Sequence, residues 1–236
     1  MKLIIAEKPS LAKAVAKVLG VISDNTKKHG YLMCNDQYAV TWVYGHIIEL
    51  VKPDVYDPKY KSFKMENLPI IPEIWKYQPK PSSKEQYNNI KELLKQATLV
   101  INCGDPDREG QLLIDELLID FGNKKPEKRL LILDPKDSAI RKAINSMEDN
   151  SKYRTWYETG LLRIQSDWLI GHNFTPACTI IGKKLGIDGI ISAGRVQTPT
   201  LKLIYDRDMA IKNYKPLNYY NLIATFKTAA SQNFTA

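Results

Sequence analysis

The sequence predicts an α/β fold over residues 1 to 150, a parallel sheet covered by helices on both faces, followed by a mainly helical portion and the first strand of a further β domain. Three observations carry this. Short apolar runs alternate with amphipathic helical patterns up to Asn150, the mark of βαβ units. Beyond Asn150 the strand-like runs stop, and Trp156, Leu161, Leu162, Ile164, Trp168 and Leu169 recur among charged residues. From Pro216 onward, residues 219 to 226 are rich in β-formers again.

Leu3 to Ala6 is a short apolar run stopped by Glu7-Lys8-Pro9-Ser10. Leu11, Ala14, Val15, Val18 and Leu19 then follow at helical spacing, and Gly20 can end the helix. Residues 38 to 44 read as a second strand ending at Gly45. The proline-laden stretch from Pro53 to Pro81 predicts an irregular but packed excursion. Ser82 and Ser83 are placed to cap a helix carrying Tyr87, Ile90, Leu93, Leu94 and Ala97 on one face. Residues 98 to 103 predict a buried strand, 104 to 110 a polar turn, 111 to 121 a helix, 129 to 134 a strand and 138 to 147 a helix. Domains are therefore expected at 1 to 150, 151 to 215 and 216 to 236. A lone strand at 219 to 226 lacks a partner, which predicts an amino-terminal fragment.

With 236 residues, 44% of them hydrophobic, the chain can fill a sizeable core. Its net charge of +8 favours polyanionic partners, because each phosphate neutralised by Lys or Arg releases counterions. Charge alone fits a merely basic protein equally well. No apolar run is long enough to span a membrane, and the first is too short for a signal sequence, so no membrane partner and a cytoplasmic location are expected. Cys34, Cys103 and Cys178 are widely spaced and odd in number, and His29, His46 and His172 share no ligand spacing. Neither disulfides nor zinc is indicated.

Glu7 follows the first strand, and Asp105-Pro106-Asp107-Arg108-Glu109-Gly110 follows the strand at 98 to 103, so acidic groups fall at the carboxyl ends of parallel strands. A spacing of two along an extended turn would point Asp105 and Asp107 the same way. Glu109 lies at the start of the next helix, where the dipole favours an anion. Four converging carboxylates repel one another unless a cation sits among them. All-oxygen ligands without His or Cys fit Mg²⁺, with Mn²⁺ as a substitute. Lys8 stands beside them as a phosphate clamp. An isolated Asp-x-Asp is also a common capping turn.

Ile5-Ala6-Glu7-Lys8-Pro9-Ser10 together with residues 105 to 110 resembles the two signatures of the Toprim domain, shared by topoisomerases, primases and some nucleases. The wording is most similar to the topoisomerase III branch of the type IA DNA topoisomerases. That resemblance implies that Glu7, Asp105 and Asp107 hold metal, that Glu7 manages a proton at the leaving 3′ oxygen, and that Lys8, Glu109 and Arg195 serve catalysis. Ser192-Ala193-Gly194-Arg195-Val196-Gln197-Thr198-Pro199 is similar to a family segment that contacts DNA near the cleavage site. Phe63 stands where the family has a tryptophan, an aromatic among lysines suited to base stacking. Asp167 to Asn173 resembles the helix lining the single-strand groove, which implies DNA contacts from Trp168 and Asn173. Pro176 and Gln165 stand near places where relatives carry arginine, which predicts weaker or less salt-sensitive DNA binding.

The family's reaction is ATP-independent and needs a tyrosine in a Tyr-x-Arg-Ser/Thr setting. Tyr205-Asp206-Arg207-Asp208 lacks the hydroxyl residue and Tyr153-Arg154-Thr155 the spacer, so no nucleophile is expected in this chain. The resemblance implies a monomer acting on single-stranded DNA, relaxing negative supercoils or decatenating, with this stretch inactive alone. A stand-alone nuclease or primase, or a non-catalytic DNA-binding module, are the alternatives.

Overall fold

The computed structural model describes residues 1–26, 30–35 and 37–235; His29 lies outside them. Strand β1 (Lys2–Ala6) is apolar on both faces, and Leu3, Ile4, Ile5 and Ala6 are at most 1% exposed. That is what a central strand needs when helices cover both sides. Helix α1 (Pro9–Leu19) opens on Pro9, whose fixed φ suits a first turn, and stops at Gly20 with φ +83°.

Next come β2 (Val21–Asp24), β3 (Tyr31–Cys34), β4 (Tyr38–Trp42) and β5 (Ile48–Leu50). The proline-rich excursion holds a single-turn helix α2 (Pro53–Tyr56) and two 3₁₀ turns, and is closed by β6 (Tyr77–Pro79) pairing antiparallel with β5. Helix α3 (Lys84–Gln96), β7 (Leu99–Cys103), α4 (Arg108–Asp120), β8 (Glu127–Arg129), α5 (Asp137–Asn145) and β9 (Glu148–Asp149) complete the α/β part. Helix α6 (Arg154–Lys184) packs along α4. Helix α7 (Gln197–Lys212) and a hairpin of β10 (Thr225–Lys227) and β11 (Asn233–Thr235) follow.

Among the described residues the main sheet runs β2-β3-β4-β1-β7-β8-β9. The central strands β4, β1, β7 and β8 are parallel, as the alternating pattern predicts. Both flanks turn antiparallel. Strand β2 escapes sequence reading because it is exposed along its whole length, and β3 because its Tyr-Leu-Met-Cys run shows no polar alternation although Leu32 and Cys34 are buried. Alternate residues of β1 feed two cores: Ile4 and Ala6 pack with α1 and Ile140, while Leu3 and Ile5 pack with Ile90, Leu93, Ile114 and Leu117 of α3 and α4.

Several boundaries move. The strand expected at 129 to 134 is Glu127–Arg129 instead. Leu130 still donates its N–H to Asn102 and is buried, but Leu133 is 86% exposed, so the apolar run leaves the sheet. Helix α4 starts at Arg108 rather than at 111, because Asp107 caps it. Ser83 occupies the N-cap of α3 without a side-chain bond. The strand expected at 219 to 226 begins only at Thr225, since Tyr219, Tyr220 and Leu222 are more than four-fifths exposed with nothing beside them. From Thr225 the chain does have a partner, β11.

Met1–Arg195 and Val196–Ala236 are two compact units. The change of pattern after Asn150 lies within the first.

Candidate metal and nucleic-acid site

Strands β1 and β7 are adjacent, parallel and in register, Ala6 opposite Cys103, so Glu7 and the 104 to 107 loop leave the sheet at one edge. There the Asp105 N–H donates to Glu7 Oε2 at 2.8 Å, and Lys8 Nζ donates to Asp105 Oδ2 at 2.8 Å. The loop is tighter than the extended turn expected from the sequence, since the Asp107 N–H reaches the Asp105 carbonyl at 2.8 Å. Asp107 Oδ1 accepts from the Gly110 N–H at 2.8 Å and caps α4. Two glycines permit the approach. A Cβ on Gly110 would sit 2.4 Å from the Asp105 backbone and 2.7 Å from Glu7 Oε2, and one on Gly104 would sit 2.0 Å from the Gly110 carbonyl.

A buried polar layer holds the loop from behind. Arg129, 1% exposed, donates from Nη1 to the carbonyls of Asn102 (3.1 Å) and Gly104 (2.9 Å), and from Nη2 to that of Asp105 (2.7 Å). Asn102 Oδ1 receives the Gly104 N–H at 3.0 Å, and its Nδ2 donates to Asp115 Oδ1 at 2.9 Å. Gln111 and Asn150 satisfy the rest of Asp115. None of these was singled out from the sequence. The signals were there: a lone Asn102 within an apolar strand, and Gln111 and Asp115 four apart on a buried helix face.

Glu7 has a raised pKa, first through burial and then through the charges of Asp105 and Asp107, despite the Asp105 N–H and Lys8. Lys8 is raised by its bond to Asp105. Glu109 turns away from the loop. Its Oε1 meets His46 Nε2 at 2.9 Å, while His46 Nδ1 meets Glu116 Oε1 at 2.7 Å, and Arg163 Nη1 lies 3.8 Å from Glu109 Oε2. Burial lowers the His46 pKa, but Glu116 and Glu109 outweigh it and the net shift is upward. Carboxylates on both ring nitrogens fit an imidazolium, which donates from each. In the sequence His46 was set aside as one of three scattered histidines, and Glu116 and Arg163 went unremarked.

Among the described residues no three His, Cys, Asp or Glu side chains are gathered as a ready metal cage. The donor chemistry nevertheless fits a hard divalent cation. In the hydrogen bonds of this loop Asp105 uses Oδ2 and Asp107 uses Oδ1, so each has a second carboxylate oxygen to offer a cation, and both charges act on Glu7.

The other expected DNA contacts divide into exposed and internal groups. Phe63, 45% exposed, lines a cleft of about 560 Å³ with Lys52, Tyr60, Lys61, Trp168 and Pro176. Trp168 is mostly buried: its Nε1 donates to the Val51 carbonyl at 2.9 Å and its ring packs edge-on against Tyr56 and Trp75. Asn173 is engaged internally, accepting the Ile70 N–H at 2.5 Å and donating to the Ile70 and Leu169 carbonyls at 2.9 Å. Thr175 of α6 pins Ala193 through both backbone groups. Ser192 is exposed, and Arg195 forks onto Asp167 at 2.7 and 3.3 Å. Gly194 precedes that arginine, and Val196 and Gln197 lead into the exposed α7. Tyr153 donates its hydroxyl to Glu148, and Tyr205 is 57% exposed on α7.

A sheet with a parallel centre whose carboxyl edge holds such a loop defines a class. Residues 2–135, more than half of the chain, match the Toprim domain model, and the chain belongs to that family. Beyond that stretch, residues 151–235 match the DNA topoisomerase model. Among curated relatives, the DNA topoisomerase 3 of Pasteurella multocida is 42% identical over 241 residues, covering 100% of this chain and 37% of that protein. The DNA topoisomerase 3 of Vibrio cholerae is 43% identical, over 94% of this chain and 35% of that protein. The chain thus spans a little over one third of the length of these relatives. The solved full-length topoisomerase I of Thermotoga maritima shares the fold, with a TM-score of 0.58 at 23% identity over 95% of this chain and 32% of that one. No helix among the described residues is long and apolar enough to cross a membrane.

Proposed function

We propose that this chain supplies the metal site and part of the single-strand groove of a type IA DNA topoisomerase, which breaks and rejoins one strand without ATP to relax negative supercoils or decatenate. The observation that carries the reading is the meeting of Glu7, Lys8 and Asp105 where β1 and β7 end side by side. Glu7, Asp105 and Asp107 would hold Mg²⁺, or Mn²⁺ in its place, and the ion when bound steadies charge on the phosphodiester. Glu7, held towards its protonated form, is suited to giving and retaking a proton at the 3′ oxygen. Lys8 and Arg195 supply cations for phosphate oxygens, and Phe63 a face for a base. Arg129 fixes the carbonyls of the acidic loop so that its carboxylates stay in place.

The nucleophilic tyrosine is assigned to sequence other than residues 1–236, so the chain is expected not to relax DNA alone. It is read as a cytoplasmic monomer whose partner is single-stranded DNA. The test is a graft: residues 1–236 replace the matching stretch of a DNA topoisomerase 3 relative, and relaxation of a negatively supercoiled plasmid is followed with Mg²⁺. Relaxation that disappears with Asp105→Asn supports the proposal. An inactive but folded graft contradicts it, and metal-dependent nicking by the ungrafted chain points to a nuclease.

A further inference from the structure

We infer that Lys8 acts as an internal counter-ion of the acidic loop that an arriving divalent cation displaces, so that filling the carboxylate site frees an ammonium group for a phosphate. The inference rests on the metal reading of Glu7, Asp105 and Asp107. Lys8 occupies the N-cap position of α1 with extended backbone, φ −147° and ψ 153°, and its side chain crosses from the end of β1 to the loop beyond β7. The contact, 2.8 Å from Nζ to Asp105 Oδ2, joins residues 97 positions apart.

The loop side of this contact is fixed. The Asp105 N–H is held by Glu7 and its carbonyl by Arg129, so the backbone that carries its carboxylate is anchored. Lys8 is the movable side, with a flexible four-carbon stem and a side chain 52% exposed against 33% for Asp105. An ammonium and a hard divalent ion seek the same carboxylate oxygens, and two cations cannot share one oxygen without strong repulsion. An ion pair this exposed contributes little, so exchange for a doubly charged ion is favourable. The displaced ammonium remains tethered next to Glu7, within the same site.

The test measures Mn²⁺ binding by electron paramagnetic resonance on the full chain, for wild type, Lys8→Met and Lys13→Met. Lys13 is an exposed residue of α1 with no ion pair among the described residues. Lys8→Met is expected to bind Mn²⁺ about three- to fivefold more tightly, the scale of one exposed ion pair, with Lys13→Met equal to wild type. A second readout needs no variant: acylation of wild-type lysines by an N-hydroxysuccinimide ester, located by mass spectrometry, should speed up at Lys8 but not at Lys13 when Mn²⁺ is added. Equal Mn²⁺ affinity in wild type and Lys8→Met, or Lys8 acylation indifferent to Mn²⁺, overturns the exchange and leaves the metal site standing. No Mn²⁺ uptake by any of the proteins overturns the metal reading and the exchange together.

Discussion

Arg195 grips Asp167 with two donors, Nε to Oδ1 at 2.7 Å and Nη2 to Oδ2 at 3.3 Å, so the guanidinium proposed for phosphate is held by a carboxylate of α6. Both side chains are about two-fifths exposed, and a screened pair of this kind adds little to stability. Asp167→Asn should therefore leave the fold intact and release Arg195. In fluorescence anisotropy titrations with a single-stranded oligonucleotide, affinity should rise and the slope of log K against log salt should steepen by about 0.7, one further phosphate contact. An unchanged slope would separate Arg195 from DNA.

Gly110→Ala should damage the acidic loop. The new methyl would lie 2.4 Å from the Asp105 backbone, which has no side-chain freedom with which to yield. Overpacking of this sort costs about 1–3 kcal/mol, read as a lower urea midpoint. A variant as stable as wild type would mean that the loop is looser than described.

Arg129→Met tests the layer behind the loop. It removes the donors to the carbonyls of Asn102, Gly104 and Asp105, all buried or partly buried. Leu130 and Asp107 still donate to the carbonyls of Asn102 and Asp105, so the Gly104 carbonyl is the one left without its donor, and a loss of about 1–3 kcal/mol is expected in urea unfolding.

How much of this was legible in the sequence depends on which interaction fixes each residue. Glu7, Lys8, Asp105 and Asp107 could be found because they follow apolar strands, and strand ends in an α/β fold share an edge. The parallel direction of the central strands could be read from the alternation of strands and helices, but not their order. Arg129 and Asn150 could not, because their burial arises from contacts between elements far apart in sequence, whereas Asn102 and Asp115 left a signal of burial but not of their partners. Asn173 and Trp168 looked like groove residues by motif, yet their polar atoms face inward, to Ile70 and Val51, a direction no periodicity encodes.

The His46 bridge predicts a pH dependence. Its folded pKa is raised above the ordinary 6.5 because Glu116 and Glu109 outweigh burial, so the folded state holds the proton more tightly than the unfolded chain. The stabilisation is full below pH 6.5 and is lost as pH rises through the folded pKa. Glu116→Gln removes the nearer charge, and the fall in urea midpoint above that pH should shrink. A wild-type midpoint that rises with pH there would contradict the assignment.

Phe63 and Trp168 line the same cleft but should respond oppositely to truncation. Trp168 is 7% exposed, hydrogen-bonded to Val51 and packed edge-on against two aromatic rings, so Trp168→Ala should cost about 3–5 kcal/mol of stability, and any effect on DNA would follow from that loss. Phe63 is 45% exposed among lysines, and Phe63→Ala should change stability by only about 0.5 kcal/mol. If a base stacks on it, oligonucleotide affinity should fall by about 1–3 kcal/mol. Phe63→Trp, which enlarges the ring, should bind at least as tightly as wild type. Anisotropy titrations paired with urea melts separate the two effects, and a Phe63→Ala variant that binds DNA like wild type would leave the cleft without its proposed stacking platform.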